Sequence, residues 1–239
     1  MRAAILVLFS LILSNSAYSQ QETPPADHIM AGSQIEDFKL QQLGIATTAP
    51  ARPITPLAMD LIKDFEGWSA IPYNDPVGYC TVGYGHLLSL NRCEKIDLKK
   101  VENGRFAQPI STEKGLEILE EDTRSARRAV QQLVKVDTTD DQFSALSSFV
   151  FNVNKENFSK SHLLIFVNQR NYKLAEREFP RWIKAKGEVL QGLIDRRKCE
   201  VNLFRGELRY NPKGKFDRKS CASLGIASGL TAVDIRKGE

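Results

Sequence analysis

At Gly67 the chain changes its period, and that change limits what it can fold into. Before it, "ITPLAMDLIKDFEG" places Ala58 or Met59, then Leu61, Ile62 and Phe65, at helical spacing, the apolar stripe of an amphipathic helix. Thr55 is a suitable N-cap, and Pro56 fits the first helical position, where its missing N–H is not needed. Gly67 suits the helix end. From there "FEGWSAIPYNDPVGYCTVGYGH", residues 65 to 86, alternates glycines with aromatics. "NDPVG" reads as a turn and "GYCTVGYG" as short strands, which predicts a small antiparallel sheet.

After a loop the pattern turns helical. "STEKGLEILEEDTRSARRAVQQLV" has a Ser111 cap and a stripe including Leu119, Ala126 and Val130. "TTDDQFSALSSFVF" carries a capping box, Thr139 with Gln142. "SHLLIFVNQ", "NYKLAEREF" and "LIDRRKCEVNLF" follow. A small β lobe beside a larger set of helices is an α+β architecture.

The ends read differently. Residues 1–19 have Arg2, an apolar run from Ala3 to Leu13, and small residues before Gln20, the pattern of a secretory signal. The run is short for a membrane span, which needs about 20 apolar residues. Residues 20–54 are polar with scattered prolines and read as a linker, with a weak helix around "SQIEDFKLQQL". The folded domain is expected over 55–210, and 211–239 as a C-terminal loop tail. Export implies an oxidising compartment, so Cys80, Cys93, Cys199 and Cys221 are expected as two disulfides. Four cysteines allow three pairings, and nearest neighbours give Cys80–Cys93 and Cys199–Cys221. No two have the CxxC spacing of a zinc site, and no metal or cofactor is expected. Residues 170–219 hold 15 Lys/Arg against 7 Asp/Glu. That excess fits an anionic partner or a solvated helical face.

Glu66, Asp75 and Thr81 are 9 and then 6 residues apart, on a helix end, a turn and a strand that can converge on one cleft. Splitting a glycosidic bond needs an acid for the leaving oxygen and something to direct water at the anomeric carbon. Glu66 sits where the helix end and partial burial both favour a protonated carboxyl. Two carboxyls kept in different states can divide the work, and a hydroxyl can help hold the water. A lone Glu–Asp pair is weak evidence, since most such pairs cap turns or face solvent.

The full pattern is more specific. "E-x8-D-x5-T" lies inside "EG…Y-x-D-x2-G-x2-T-x-G-x-G-H", and "DDQFSALSSFVFNVN", "SHLL" and "EFPRWIKAKGEVLQGLIDRRKCEVNLF" follow in order. This resembles the bacteriophage-type lysozymes, the endolysins of T-even and lambdoid phages, over roughly residues 55–210. The later motifs look like the lambdoid branch. The resemblance implies a two-lobed fold and an inverting muramidase that cuts the β-1,4 bond between N-acetylmuramic acid and N-acetylglucosamine. Glu66 matches the general acid. Asp75, with Thr81, matches the pair that positions the attacking water. Leu87, Phe151, Asn152 and Ser161 match substrate-binding positions, and for Phe151 an ordinary core role is an equal alternative. His86 matches a structural histidine whose partner on the next long helix is Asp122. Trp182 is read as core, and Arg196 and Arg197 as supports of their helix. The implied partners are peptidoglycan glycan strands, with no nucleic acid, no stable membrane insertion after signal cleavage, and a monomeric chain acting outside the cytoplasm.

Three features depart from that family. Cys80 precedes Thr81 directly, and redox-controlled members of the family use nearby cysteines to block the site. Asn154 stands where glycine is usual, though Asn tolerates positive φ better than most residues. The linker and tail are extra. A membrane-tethered peptidoglycan-binding scaffold without strong catalysis is the competing reading, and the complete Glu66, Asp75 and Thr81 set weighs against it. A lytic transglycosylase needs no water-positioning carboxylate, so Asp75 and Thr81 weigh against that as well.

Overall fold

The computed structural model describes residues 50–222, 225 and 229–239. The signal at 1–19 and the weak helix around "SQIEDFKLQQL" lie outside the described residues. Helix α1 (Pro56–Glu66) starts on Thr55, whose hydroxyl accepts from the Ala58 N–H, and ends on Gly67 at φ 69°. That positive φ, with the Gly67 N–H on the Lys63 carbonyl, is the helix ending that glycine permits at least cost. Ala58, Leu61, Ile62 and Phe65 turn inward with Glu66.

The chain then forms β1 (Ser69–Asn74), β2 (Cys80–Gly83) and β3 (His86–Ser89), an antiparallel sheet in that order. Cys80, Val82, Leu88, Phe106, Ile110 and Ile118 make a small core beneath it. Cys80 is joined to Cys93 at an S–S distance of 2.03 Å. The long loop after β3 winds through 3-10 turns at Cys93–Lys95 and Val101–Gly104.

The helix expected from Ser111 onward divides into α2 (Thr112–Asp122) and α3 (Arg124–Leu133). At the break the Thr123 hydroxyl donates to the Glu120 carbonyl at 3.1 Å, a local bond that competes with helix continuation. Gly115 in α2 lies flat against Trp68, and a Cβ there would stand 2.1 Å from the indole. Any side chain at 115 would therefore require the Trp68 indole to shift.

The larger core surrounds α4 (Asp140–Val153), which is buried from Phe143 to Val153. The Thr139–Gln142 capping box is present at its start. Next come α5 (Lys155–Lys160), α6 (His162–Asn168), α7 (Tyr172–Glu178), the strands β4 (Trp182–Ala185) and β5 (Glu188–Val189), and α8 (Gln191–Phe204). Phe149 meets Phe158, Phe179 and Trp182 edge-on at the centre. Asn154 has φ 74°, and its side chain accepts from Asn157 N–H to cap α5. It thus gives the turn both a tolerated positive φ and a cap that glycine lacks.

Two expected boundaries are corrected. Residues 211–239 are not all loop, because β6 (Val233–Asp234) pairs parallel to β4, and Val233 and Ile235 enter the core. A two-residue strand has no period to read, and what forms it is the open edge of β4. At the other end Arg52, inside the expected linker, pairs with Asp140 and lies over the Phe143 ring at 4.5 Å. The described chain is a two-lobed α+β fold. No described helix is long and apolar enough to cross a membrane.

Candidate active site

Glu66 is the last residue of α1 and is 1% exposed. Its carboxyl oxygen Oε1 accepts from Arg196 Nη1 at 2.6 Å. Arg196, from α8, also reaches Glu200 Oε1 at 3.2 Å and the Ser148 carbonyl at 3.4 Å. Burial alone would lower the guanidinium pKa, but Glu66 and Glu200 outweigh it and raise the value. Arg197 lies beside it, 2.9 Å from Glu200 Oε2 in a contact out of line for a hydrogen bond. It donates properly to Asn152 Oδ1 at 3.0 Å and Glu200 Oε1 at 3.2 Å. Burial pulls Arg197 down to about 10. Glu200 and Ser148, which sequence reasoning passed over, complete this buried network through a 2.8 Å hydrogen bond.

Asp75 follows β1 and is 5% exposed. Its Oδ1 accepts from the Val77 and Tyr79 N–H groups at 3.0 and 2.7 Å, an Asx-type turn that fixes the carboxylate. Its Oδ2 is buried without a hydrogen-bond partner. Thr81, on β2, is the cross-strand partner of Tyr73 and donates to the Tyr73 carbonyl at 3.4 Å. Tyr73 connects the three residues. Its phenol is pushed up to about 12, first by burial, with the nearby Thr81 hydroxyl opposing and the charges of Glu66 and Asp75 adding to the rise. Tyr73 lies within the sequence motif, which by itself marks no role for it.

His86 Nδ1 lies 3.0 Å from both Asp122 oxygens, and Nε2 lies 3.1 Å from Glu102. Burial pulls the imidazole pKa down, but Asp122 and then Glu102 reverse this and raise it to about 10. Glu102 is itself lowered, chiefly by the His86 hydrogen bond. It reaches the ring from a loop residue at φ 43° and ψ 47°, left-handed geometry that is uncommon outside glycine. No sequence pattern marks such a residue.

The four residues matched to substrate binding fare unevenly. Leu87 on β3 is 4% exposed, opposite Thr81, and Asn152 is 4% exposed with its carbonyl oxygen held by Arg197. Phe151 and Ser161 are 0% exposed. Phe151 belongs to the core, while Ser161 caps α6 and donates to the Phe158 carbonyl. In this structure the Phe151 side chain packs in the core and the Ser161 side chain caps a helix, so neither is presented to solvent. Part of the basic excess of 170–219 is internal or paired, while Arg170, Lys173, Arg177, Lys186, Arg209, Lys213, Lys215 and Lys219 remain exposed. Arg181, Arg196 and Arg197 are buried in ion pairs, and Lys198, Arg205 and Arg218 pair with Asp195, Glu176 and Asp64. A separate pocket of about 560 Å³ opens beyond the helix end, lined by Lys63, Trp68, Tyr84 and Phe216 among others. It includes none of Glu66, Asp75 and Thr81.

The phage lysozyme family model matches residues 63–200. The chain is 36% identical over 157 residues to an endolysin of Bacillus phage B103, covering 63% of this chain and 53% of that protein. It thus spans about half the length of that relative. The endolysin of Salmonella phage P22 is 35% identical over 143 residues, covering 60% of this chain and 91% of that protein. Among solved structures, the muramidase domain of SpmX from Asticaccaulis excentricus superposes with TM-score 0.54 at 31% identity, covering 64% of this chain and 97% of that one.

Proposed function

The chain belongs to the phage lysozyme family, and from that premise we propose that it is an exported muramidase acting on peptidoglycan by an inverting mechanism. What supports this reading is that Tyr73, paired across the sheet with Thr81 and two residues before Asp75, feels the charges of both Glu66 and Asp75. The bond cut is the β-1,4 link between N-acetylmuramic acid and N-acetylglucosamine. Glu66 gives its proton to the glycosidic oxygen as the bond to the anomeric carbon breaks. A water oxygen attacks that carbon from the opposite face, and Asp75 takes the proton the water loses. Glu66 regains a proton from solvent. Inversion needs room for the water between the two carboxyls, roughly 6.5–9.5 Å. Thr81 helps hold the water in line. The relatives named as endolysins support a wall-directed protein, and the signal-like pattern of residues 1–19 supports export.

The test is digestion of purified peptidoglycan by wild type and Glu66→Gln, with products read by mass spectrometry. Reducing muramic ends are expected from the wild type. Glu66→Gln should lose at least the 10²–10⁴-fold that general acid catalysis typically contributes, with its circular dichroism unchanged. Products with 1,6-anhydro ends would mean transglycosylation, and bound glycan without products would mean a binding protein.

A further inference from the structure

Asp75 Oδ2 is among the buried polar atoms without a hydrogen-bond partner, and the Tyr73 hydroxyl, beside the Thr81 side chain, has none of good geometry. Buried polar atoms are rarely left so, and each such case calls for a physical explanation. The backbone places them together. Tyr73 and Thr81 are directly opposed across β1 and β2, and opposed residues in an antiparallel pair carry their side chains on one face, about 4.5–5.5 Å apart at Cβ. Asp75 follows Tyr73 by two residues, the spacing that returns a side chain to the same face of an extended chain.

The bonding roles are also assigned. Thr81 gives its proton to the Tyr73 carbonyl, so its oxygen is left as an acceptor. Asp75 Oδ1 is occupied by two backbone N–H groups, so Oδ2 is the carboxylate's available acceptor. The Tyr73 phenol is the donor. We propose that Tyr73 is a further catalytic residue, which donates to the attacking water while that water donates to Asp75 Oδ2 and Thr81 Oγ1. A water has two protons and two lone pairs. These contacts use both protons and one lone pair, and leave the other lone pair to meet the anomeric carbon. During attack the C–O bond forms from that lone pair, the proton on the Asp75 side passes to Oδ2, and Tyr73 keeps its own. A phenol raised to about 12 stays a donor through the working range and cannot compete with Asp75 as base.

This inference rests on the muramidase reading, so the wild type is assayed beside each variant on purified, soluble glycan strands. Tyr73→Phe removes one oxygen and keeps the ring. The expected result is a 10- to 100-fold fall in kcat with KM changed less than threefold and the melting temperature held, the scale on which misplacing a reactant acts. Tyr73→Phe added to Asp75→Asn should cost little beyond Asp75→Asn alone, because groups acting on one water are not additive. Fluorotyrosine at 73, which retains shape and donor, should restore turnover and guards against a folding artefact. Wild-type hydrolysis with Tyr73→Phe within twofold in kcat overturns this inference alone. Wild type that yields no products overturns the muramidase reading together with it.

Discussion

Arg196 Nη1 lies 2.6 Å from Glu66 Oε1, across 130 residues of sequence, with both side chains buried. The contact joins the end of α1 to the middle of α8, and through Glu200 it reaches Ser148 on α4. The carboxyl at the centre of the proposed chemistry is therefore held by the core of the helical lobe.

Arg196→Met should be strongly destabilising. Arg196→Met leaves buried Glu66 and Glu200 without the guanidinium that hydrogen-bonds both, and breaking a buried pair in this way typically costs about 3–5 kcal/mol. Arg196→Lys keeps charge but loses the planar fork that serves Glu66, Glu200 and the Ser148 carbonyl together. Urea denaturation checks both, and the order of stability expected is wild type, then Lys, then Met. A Met variant within 1 kcal/mol of wild type, on the central-tendency scale of exposed pairs, would show that Arg196 does not hold the helix end.

The His86 cluster sets a pH dependence. Its imidazole is raised to about 10 by Asp122 and Glu102 against the pull of burial. Its contribution to stability is fully present below the unfolded value near 6.5, and it is lost as pH rises through about 10. Glu102 is lowered by His86, so its contribution holds above the ordinary carboxylate range and is lost as pH falls through the depressed value. Thermal melts of wild type and His86→Gln between pH 5 and pH 11 should converge above about pH 10 and differ most below about pH 6.5. Parallel curves across that range would reject the assignment.

How much of this was legible depended on distance along the chain. The period change at Gly67, the caps at Thr55, Ser111 and Thr139, and the order of helices are local signals, and the fold class followed from them. Glu66, Asp75 and Thr81 lie within 16 positions, so they could be read as one motif. Tyr73 lay inside the same stretch, but an aromatic on a strand is ordinarily core, and what its hydroxyl meets is a property of packing. Arg196 was read as a helix support, and its reach to Glu66 is a tertiary contact that no spacing encodes. Glu102 depended on a left-handed loop residue. Phe151 and Ser161 were matched to substrate positions by the family pattern, and the enclosure of their side chains is a property of packing that such a pattern does not carry.

The two disulfides, Cys80–Cys93 and Cys199–Cys221, should act as static staples. The second fastens the segment after α8 to that helix, and this segment carries Arg218. Arg218 Nε pairs with Asp64 at 2.5 Å, and its guanidinium lies 4.4 Å from the Phe65 ring centre. The stapled segment therefore braces the two residues that precede Glu66. The magnitudes say which link matters more. The Arg218–Asp64 pair is about one third exposed on both sides, so it is worth about 0–1 kcal/mol. The disulfide spans 22 residues, and in the chain-entropy model a loop of that order gives about 3 kcal/mol. Arg218→Ala should then shift the melting temperature slightly, whereas Cys199→Ser with Cys221→Ser should lower it by several degrees. Wall lysis by the double variant should fall or stay level at 25 °C and fail first on warming, as the brace on α1 loosens. Mild reductant should act the same way on the wild type. Cys80 is bonded to Cys93 and 0% exposed, so reduction has no blocking cross-link to release from the site. A rise in lytic rate on reduction would overturn this account and identify the cysteines as a switch.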